Sequence, residues 1–256
     1  MSAATELINA LALPIQTHVG QRVPKALLLE ATPLVPADRR RLTEGIDELR
    51  WAATLKPGTV GIPAYADDVR EVLEINVLTL SLRPDARTDR IGELVHRAVP
   101  YPVVLLTAQE PGRRFLSLAL KRRALAAGGN GRTVVDGEVT EISLHDGPGR
   151  AVRDELLAAL PLARQPRESL LALYHGWLDV LVAVQASAVT DTFALAGSPE
   201  RTAARQVALR TYGQVQDRIA ALRSRARKER QLAVRAELNT EIQQLREASR
   251  DARQEL

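Results

Sequence analysis

The sequence predicts an α+β protein: a small mixed β-sheet of about five strands with flanking helices, followed by a long C-terminal helical region. Three observations predict it. Strand-like apolar segments are confined to roughly the first 150 of 256 residues. Beyond "HDGPGR" (145–150) they stop, and helical periodicity takes over. After Pro199 there is no further proline up to about residue 253, and Gly213 is the only glycine. The chain therefore divides into an α/β body at 1–150, a helical connector at 151–197 and a long, basic, coiled-coil-like C-terminal helix at 198–256.

Taken in order, residues 4–13 read as a short helix ended by Pro14. "RVPKALLLE" (22–30) reads as extended or irregular, because Pro24 follows Val23. Leu42, Ile46, Leu49 and Ala53 recur every three or four residues, which predicts one helix over 36–55. Pro57-Gly58 marks a turn, and Thr59–Ile62 a short strand. "VLEINVLTLSLR" (72–83) is the clearest strand. Its apolar phase slips near Val77, which a bulge explains, as does burial of both faces. Thr88 and Asp89 open a helix whose buried stripe is Ile91, Leu94, Val95 and Ala98, and Pro100 ends it. "VVLLTA" (103–108) and "FLSLALK" (115–121) form a hairpin across "QEPGRR". Asp136-Gly137 predicts a second hairpin within 133–142. Residues 151–160 and 167–188 are helical, and Ser198-Pro199-Glu200 has the cap, first-turn proline and acid of a helix start.

Composition narrows the chemistry. There is no cysteine, which excludes disulfides and thiolate metal ligands. No run of 18 apolar residues predicts a membrane span, and "MSAATELINALALP" lacks a basic leader region, so a cytoplasmic bacterial protein is expected. GxxxxGK[ST], GxGxxG, HExxH and GxSxG are all absent. The Gly-rich "GGNGRT" (128–133) reads as a plain loop. His18, His96, His145 and His175 show no metal-ligand spacing. No catalytic residue, metal or cofactor is therefore assigned. A metal-dependent nuclease of the restriction-enzyme type is the enzymatic alternative, using Glu74 and Lys121, yet no acid-x-Lys pair occurs on any strand.

Arginine outnumbers lysine 31 to 4. In so biased a chain a retained lysine marks a place where a compact ammonium is needed, which singles out Lys25, Lys56, Lys121 and Lys228. Lys121, at a strand end, reads as a solvated lysine or as an anion contact at a sheet edge. Trp51 lies off the Leu42/Ile46/Leu49/Ala53 stripe, so it either covers a second packed face near Lys25 or, with Lys25 and Lys56, is a candidate partner contact.

Charge is concentrated at the end of the chain. Residues 201–256 hold 13 Lys+Arg and 7 Asp+Glu, although the whole chain is only +4. "RSRARKERQLAVR" (223–235) has six basic residues and one acid, with no aromatic to stack bases. On a continuous helix Arg218, Arg225, Lys228 and Arg235 form one basic stripe, a candidate for weak, sequence-independent DNA contact. Val215, Ile219, Leu222 and Ala226 make one apolar seam, and Val234, Leu238, Ile242 and Leu245 another. They are out of register with each other, because Glu229 falls on the seam. This predicts docking in two places, against the body, a partner or a second copy.

Several stretches together resemble the bacterial family domain of unknown function 4391. They are "VPK" with Lys25, "IDELRWAATLKPGTVGI" with Trp51, Lys56 and Thr59, "RAVPYPVVLLT", "LSLALKRR" with Lys121, and "RKERQLAVRAELNTEIQQL". The likeness spans nearly the whole chain except 125–165, and all four lysines fall inside it. In this chain Leu120 replaces the family's tyrosine before the strand-end lysine. Members of the family tend to lie beside genes for helicases and DNA methyltransferases in bacterial defence clusters. The resemblance thus implies an accessory or adaptor subunit of a DNA-acting, phage-defence assembly, docking a partner of that kind. A structural homodimer through the C-terminal helix is the remaining alternative.

Overall fold

The structure, a computed structural model, describes residues 3–31, 33–124, 133–145 and 149–256. These fall into two compact units, Met1–Leu181 and Val182–Leu256.

The first unit opens with α1 (Ala3–Ala10), β1 (His18–Arg22), α2 (Lys25–Ala31), α3 (Pro36–Gly45) and β2 (Ile46–Leu55). A one-turn α4 (Pro57–Val60) and the small ribbon β3 (Tyr65–Ala66) and β4 (Glu71–Val72) lead to β5 (Ile75–Leu82). Then come α5 (Thr88–Ala98), β6 (Val103–Gln109), β7 (Arg113–Leu118), β8 (Lys121–Arg123), β9 (Thr133–Val135), β10 (Thr140–Ser143), α6 (Arg150–Ala159) and α7 (Leu170–Thr190), whose residues from Val182 onward belong to the second unit. The main sheet has the order β1-β2-β5-β6-β7-β10. Only β5 and β6 run parallel, with α5 as the crossover; the other pairs are antiparallel.

One face of this sheet is a continuous apolar layer. Leu28 of α2, Leu42 of α3, and Ile91, Leu94 and Val95 of α5 pack on Ile46, Leu49, Leu78, Leu80, Val103 and Leu105. α7 serves the sheet differently. The Tyr174 hydroxyl donates to the Val103 carbonyl at 2.8 Å and accepts from the Ala119 amide at 2.9 Å, and the Trp177 indole donates to the Leu160 carbonyl at 2.9 Å. A buried hydroxyl and indole N–H are thereby satisfied where leaving them unpaired is costly.

The sheet corrects four expectations. The helix expected over 36–55 ends at Gly45, and Ile46–Leu55 is the strand β2. Its pairing with β5 skips a residue between Ile46 and Glu48, and again between Trp51 and Ala53. The first skip places Ile46 and Leu49, three apart, in one core layer, and so imitates helical spacing. Those irregularities lie in β2, whereas β5 pairs without interruption with β6 and is buried along most of its length. Burial of both faces is therefore what shifts the apolar phase near Val77. "RVPKALLLE" holds the helix α2 rather than irregular chain, because Pro24 stands just before the first helical residue and its constraint ends there. Residues 57–60 form the helical turn α4, with Gly61 left-handed (φ 65°) behind it, where a strand over 59–62 was expected. Finally, Gly137 has the turn conformation (φ 81°), yet β9 pairs with β8 and β10 with β7, so 133–142 is not a hairpin. The Gly-rich segment 128–132 lies outside the described residues.

The second unit carries α8 (Pro199–Lys228) and α9 (Leu232–Gln254). Ser198 caps α8, accepting from the Arg201 amide at 3.3 Å, with Pro199 and Glu200 in the first turn as expected. A single helix was expected through residue 253, but the chain turns at Glu229–Gln231. The Glu229 carboxylate accepts from the Gln231 amide at 2.8 Å in that turn. Ile219, Leu222, Leu238 and Ile242 then form one buried cluster, with Val215, Ala226, Val234 and Leu245 against it. The two seams that could not share one register on a continuous helix pack on each other in an antiparallel hairpin. Gln216 donates to the Ser249 hydroxyl at 2.8 Å, and Arg218 pairs with Glu241 at 2.8 Å across the same interface.

Candidate functional sites

The four body residues singled out by sequence do not converge. Lys25 donates to the carbonyls of Thr43 (3.4 Å) and Ile46, at the C-terminal end of α3. Lys121 donates to the carbonyls of His96 and Val99 (2.9 Å for Val99), at the C-terminal end of α5. A helix C-terminus leaves carbonyls unpaired and carries the negative end of the helix dipole, so an ammonium is well placed at both. Lys121 is thus not the solvated or edge lysine expected; it is 3% exposed. Burial pushes its ammonium pKa down to about 8. His96 beside it is fully buried and bonds Ser117 Oγ through Nε2 at 3.0 Å. Burial, and then the Lys121 charge, hold this imidazole neutral with a pKa near 3.

Lys56 stands at the other end of β2 from Lys25, about 30 Å away along a ten-residue strand. It pairs with Glu74 at 3.2 Å. The Glu74 carboxylate also accepts from Asn76 at 3.2 Å, and Thr54 donates to Asn76 at 3.1 Å. Glu74 and Lys121, the pair weighed for a nuclease, are each engaged with these other groups. Among the described residues no group of three His, Asp or Glu side chains gathers as metal ligands would. Trp51 lies on β2, partly buried against the α2/α3/α5 layer, and its indole N–H finds no partner.

A second constellation was missed by sequence. Asp38 on α3 is 4% exposed and takes Arg90 of α5 at 2.5 Å and 3.2 Å, and Arg41 at 2.7 Å. The hydrogen bond from Arg90, together with that from Arg41, outweighs burial and lowers its carboxyl pKa to about 2. Arg90 also reaches Glu93 at 2.6 Å. Arg87, the residue before α5, lines the same cleft together with Val35, Asp38, Arg41 and Arg90. The loop that carries Arg87 is held from below: Gln109 Nε2, on a side chain 1% exposed, lies 2.8–2.9 Å from the carbonyls of Arg83, Pro84 and Ala86. The only trace of this in the sequence is an acid set among arginines in "ADRRR" and the arginines of "ARTDR" directly after the strand.

In the hairpin, Arg218 pairs with Glu241 of the other helix, which partly neutralises it. Arg225 and Lys228 are exposed at the end of α8. Arg235 is exposed on α9, across the turn from them, so the single-helix stripe becomes a basic tip with residues on both arms. Residues 218–241 hold seven Lys+Arg and three Asp+Glu.

An α+β body with a helical hairpin defines the class. The chain belongs to the family described as Domain of unknown function (DUF4391), whose sequence profile matches residues 11–248 of the 256. No curated protein and no solved structure matches it.

Proposed function

We propose that this protein is a non-enzymatic accessory subunit of a DNA-acting bacterial assembly, of the phage-defence kind, in which the hairpin tip holds nucleic-acid phosphates. The observation that carries the reading is the division of labour in α8–α9. Both apolar seams pack inside the hairpin, so what the tip offers outward is charge beside one exposed apolar side chain, Leu232. With no aromatic among residues 223–235, contact to the backbone rather than stacking on bases is favoured. The body then docks the protein partner, a helicase or a DNA methyltransferase.

Three phosphate contacts, by Arg225, Lys228 and Arg235, give a slope of about −2.7 in log affinity against log salt for duplex DNA. Fluorescence anisotropy with a labelled duplex at rising salt measures it. The triple variant Arg225→Glu, Lys228→Glu, Arg235→Glu is expected to lose binding while its circular dichroism and melting stay unchanged. Absence of binding at low salt, or binding that survives the triple change, overturns the reading.

A further inference from the structure

We propose that the cleft formed by Arg41, Arg87 and Arg90, at the carboxyl end of β5 and the start of α5, binds a dianionic oxyanion of the phosphate-monoester type. The site is independent of the hairpin tip. Charge is the first argument. Asp38 and Glu93 are the carboxylates paired with this group, and Arg97 shares Glu93 at 2.6 Å. Arg97 lies outside the cleft, whose lining holds three guanidiniums, Arg41, Arg87 and Arg90, against one carboxylate, Asp38, a net of two positive charges that matches a dianion. Donor supply is the second. Asp38 takes Nη1 of Arg41, and among the described residues Nε and Nη2 of that guanidinium have no hydrogen-bond partner. Arg87 is exposed and has no hydrogen-bond or ion-pair partner among the described residues. Two guanidiniums with unused forks can meet phosphate oxygens in the paired geometry that arginine favours.

Preorganisation is the third argument. Buried Asp38 fixes Arg41 and Arg90, and buried Gln109 fixes the 83–86 carbonyls just before Arg87. These are two buried polar side chains on different elements, and both act on arginines that line one cleft. A staple between α3 and α5 alone would require Asp38 and Arg90, but neither Arg87 nor the three-fold anchoring of its loop. Position is the fourth. β5 and β6 are the parallel pair of the sheet, and ligands of open parallel sheets collect at the carboxyl ends of such strands, beside the following helix.

The test uses the full chain and inorganic phosphate as probe, titrated by calorimetry and by thermal melting against sodium chloride at matched ionic strength. Saturable phosphate binding that raises the melting temperature is expected. Arg87→Gln, which keeps the side-chain stem, is expected to weaken it at least about tenfold, since one charge-assisted contact is lost; Arg87→Glu should abolish it. Both variants should melt like the parent in phosphate-free buffer. A second arm compares 5′-phosphorylated and unphosphorylated short duplexes, in the Arg225→Glu, Lys228→Glu, Arg235→Glu background. Preference for the phosphorylated end identifies a nucleic-acid terminus as the source of the oxyanion, and binding of inorganic phosphate without such a preference identifies a free phosphate compound. Phosphate effects no larger than those of chloride, or unchanged by Arg87→Gln, overturn the proposal and leave the hairpin reading untouched.

Discussion

Two of the four retained lysines, Lys25 and Lys121, have a physical explanation at the scale of single residues. An ammonium can sit among two or three carbonyls that converge from one helix end, whereas the wide planar fork of arginine cannot. Lys25 and Lys121 occupy such places on α3 and α5. Their partners lie 21 and 25 residues away in sequence, so the lysine bias was visible in the sequence and its cause was not. Lys121 also sets a pH dependence. Its ordinary value of 10.5 falls to about 8 in the folded protein. Between those values the unfolded chain binds the proton and the folded chain does not. Stability therefore rises as pH increases from about 8 to about 10, by a total on the order of 3 kcal/mol if titration is complete. Denaturant unfolding across that range should show the rise in the parent and not in Lys121→Met. Equal slopes in the two would contradict the assignment.

Among the elements, legibility followed the simplicity of the pattern. β6 and β7 carry short apolar runs joined by a Pro-Gly loop, and the hairpin matches the expectation, but the second strand ends at Leu118 and Lys121 opens the separate strand β8 instead of closing β7. β2 does not match, because its two skipped residues convert a period of two into steps of three. The Asp136-Gly137 turn was read correctly as a turn and wrongly as a hairpin, since local conformation does not decide which neighbour a strand finds. The arginine cleft was illegible because Asp38 and Arg90 are 52 residues apart and become neighbours only when α3 and α5 pack. Gly45 shows how close that packing is: a Cβ there would stand 2.6 Å from Ile91 Cδ1 and 3.2 Å from the Ala86 Cβ. Gly45→Ala must displace the end of the buried Ile91 side chain or shift α3 against α5, and overpacking of this kind costs about 1–3 kcal/mol. The expected outcome is a lower melting temperature together with weaker phosphate binding by the cleft. An unchanged melting temperature would show that the two helices yield without cost.

For the molecule as a whole, the C-terminal charge was legible as an amount and not as a shape. Counting residues located the excess of arginine; only the turn at Glu229–Gln231 decided that Arg235 returns beside the end of α8 instead of extending away from it. The same turn makes one chain sufficient to cover both seams. The melting temperature should then be independent of protein concentration over a hundredfold range, as measured by scanning fluorimetry and checked by sedimentation. A melting temperature that climbs with concentration would indicate a second copy in the folded state.

The brevity of that turn has a kinetic and competitive consequence. Two helices joined by so few residues meet at an effective concentration in the millimolar range or above. A helix from another protein that sought the seam of α8 would have to displace α9 from a tethered position. At micromolar abundance it would be outnumbered by its intramolecular rival about a thousandfold. Any partner of this chain is thereby steered away from the seam and toward the surfaces that the hairpin and the body leave uncovered.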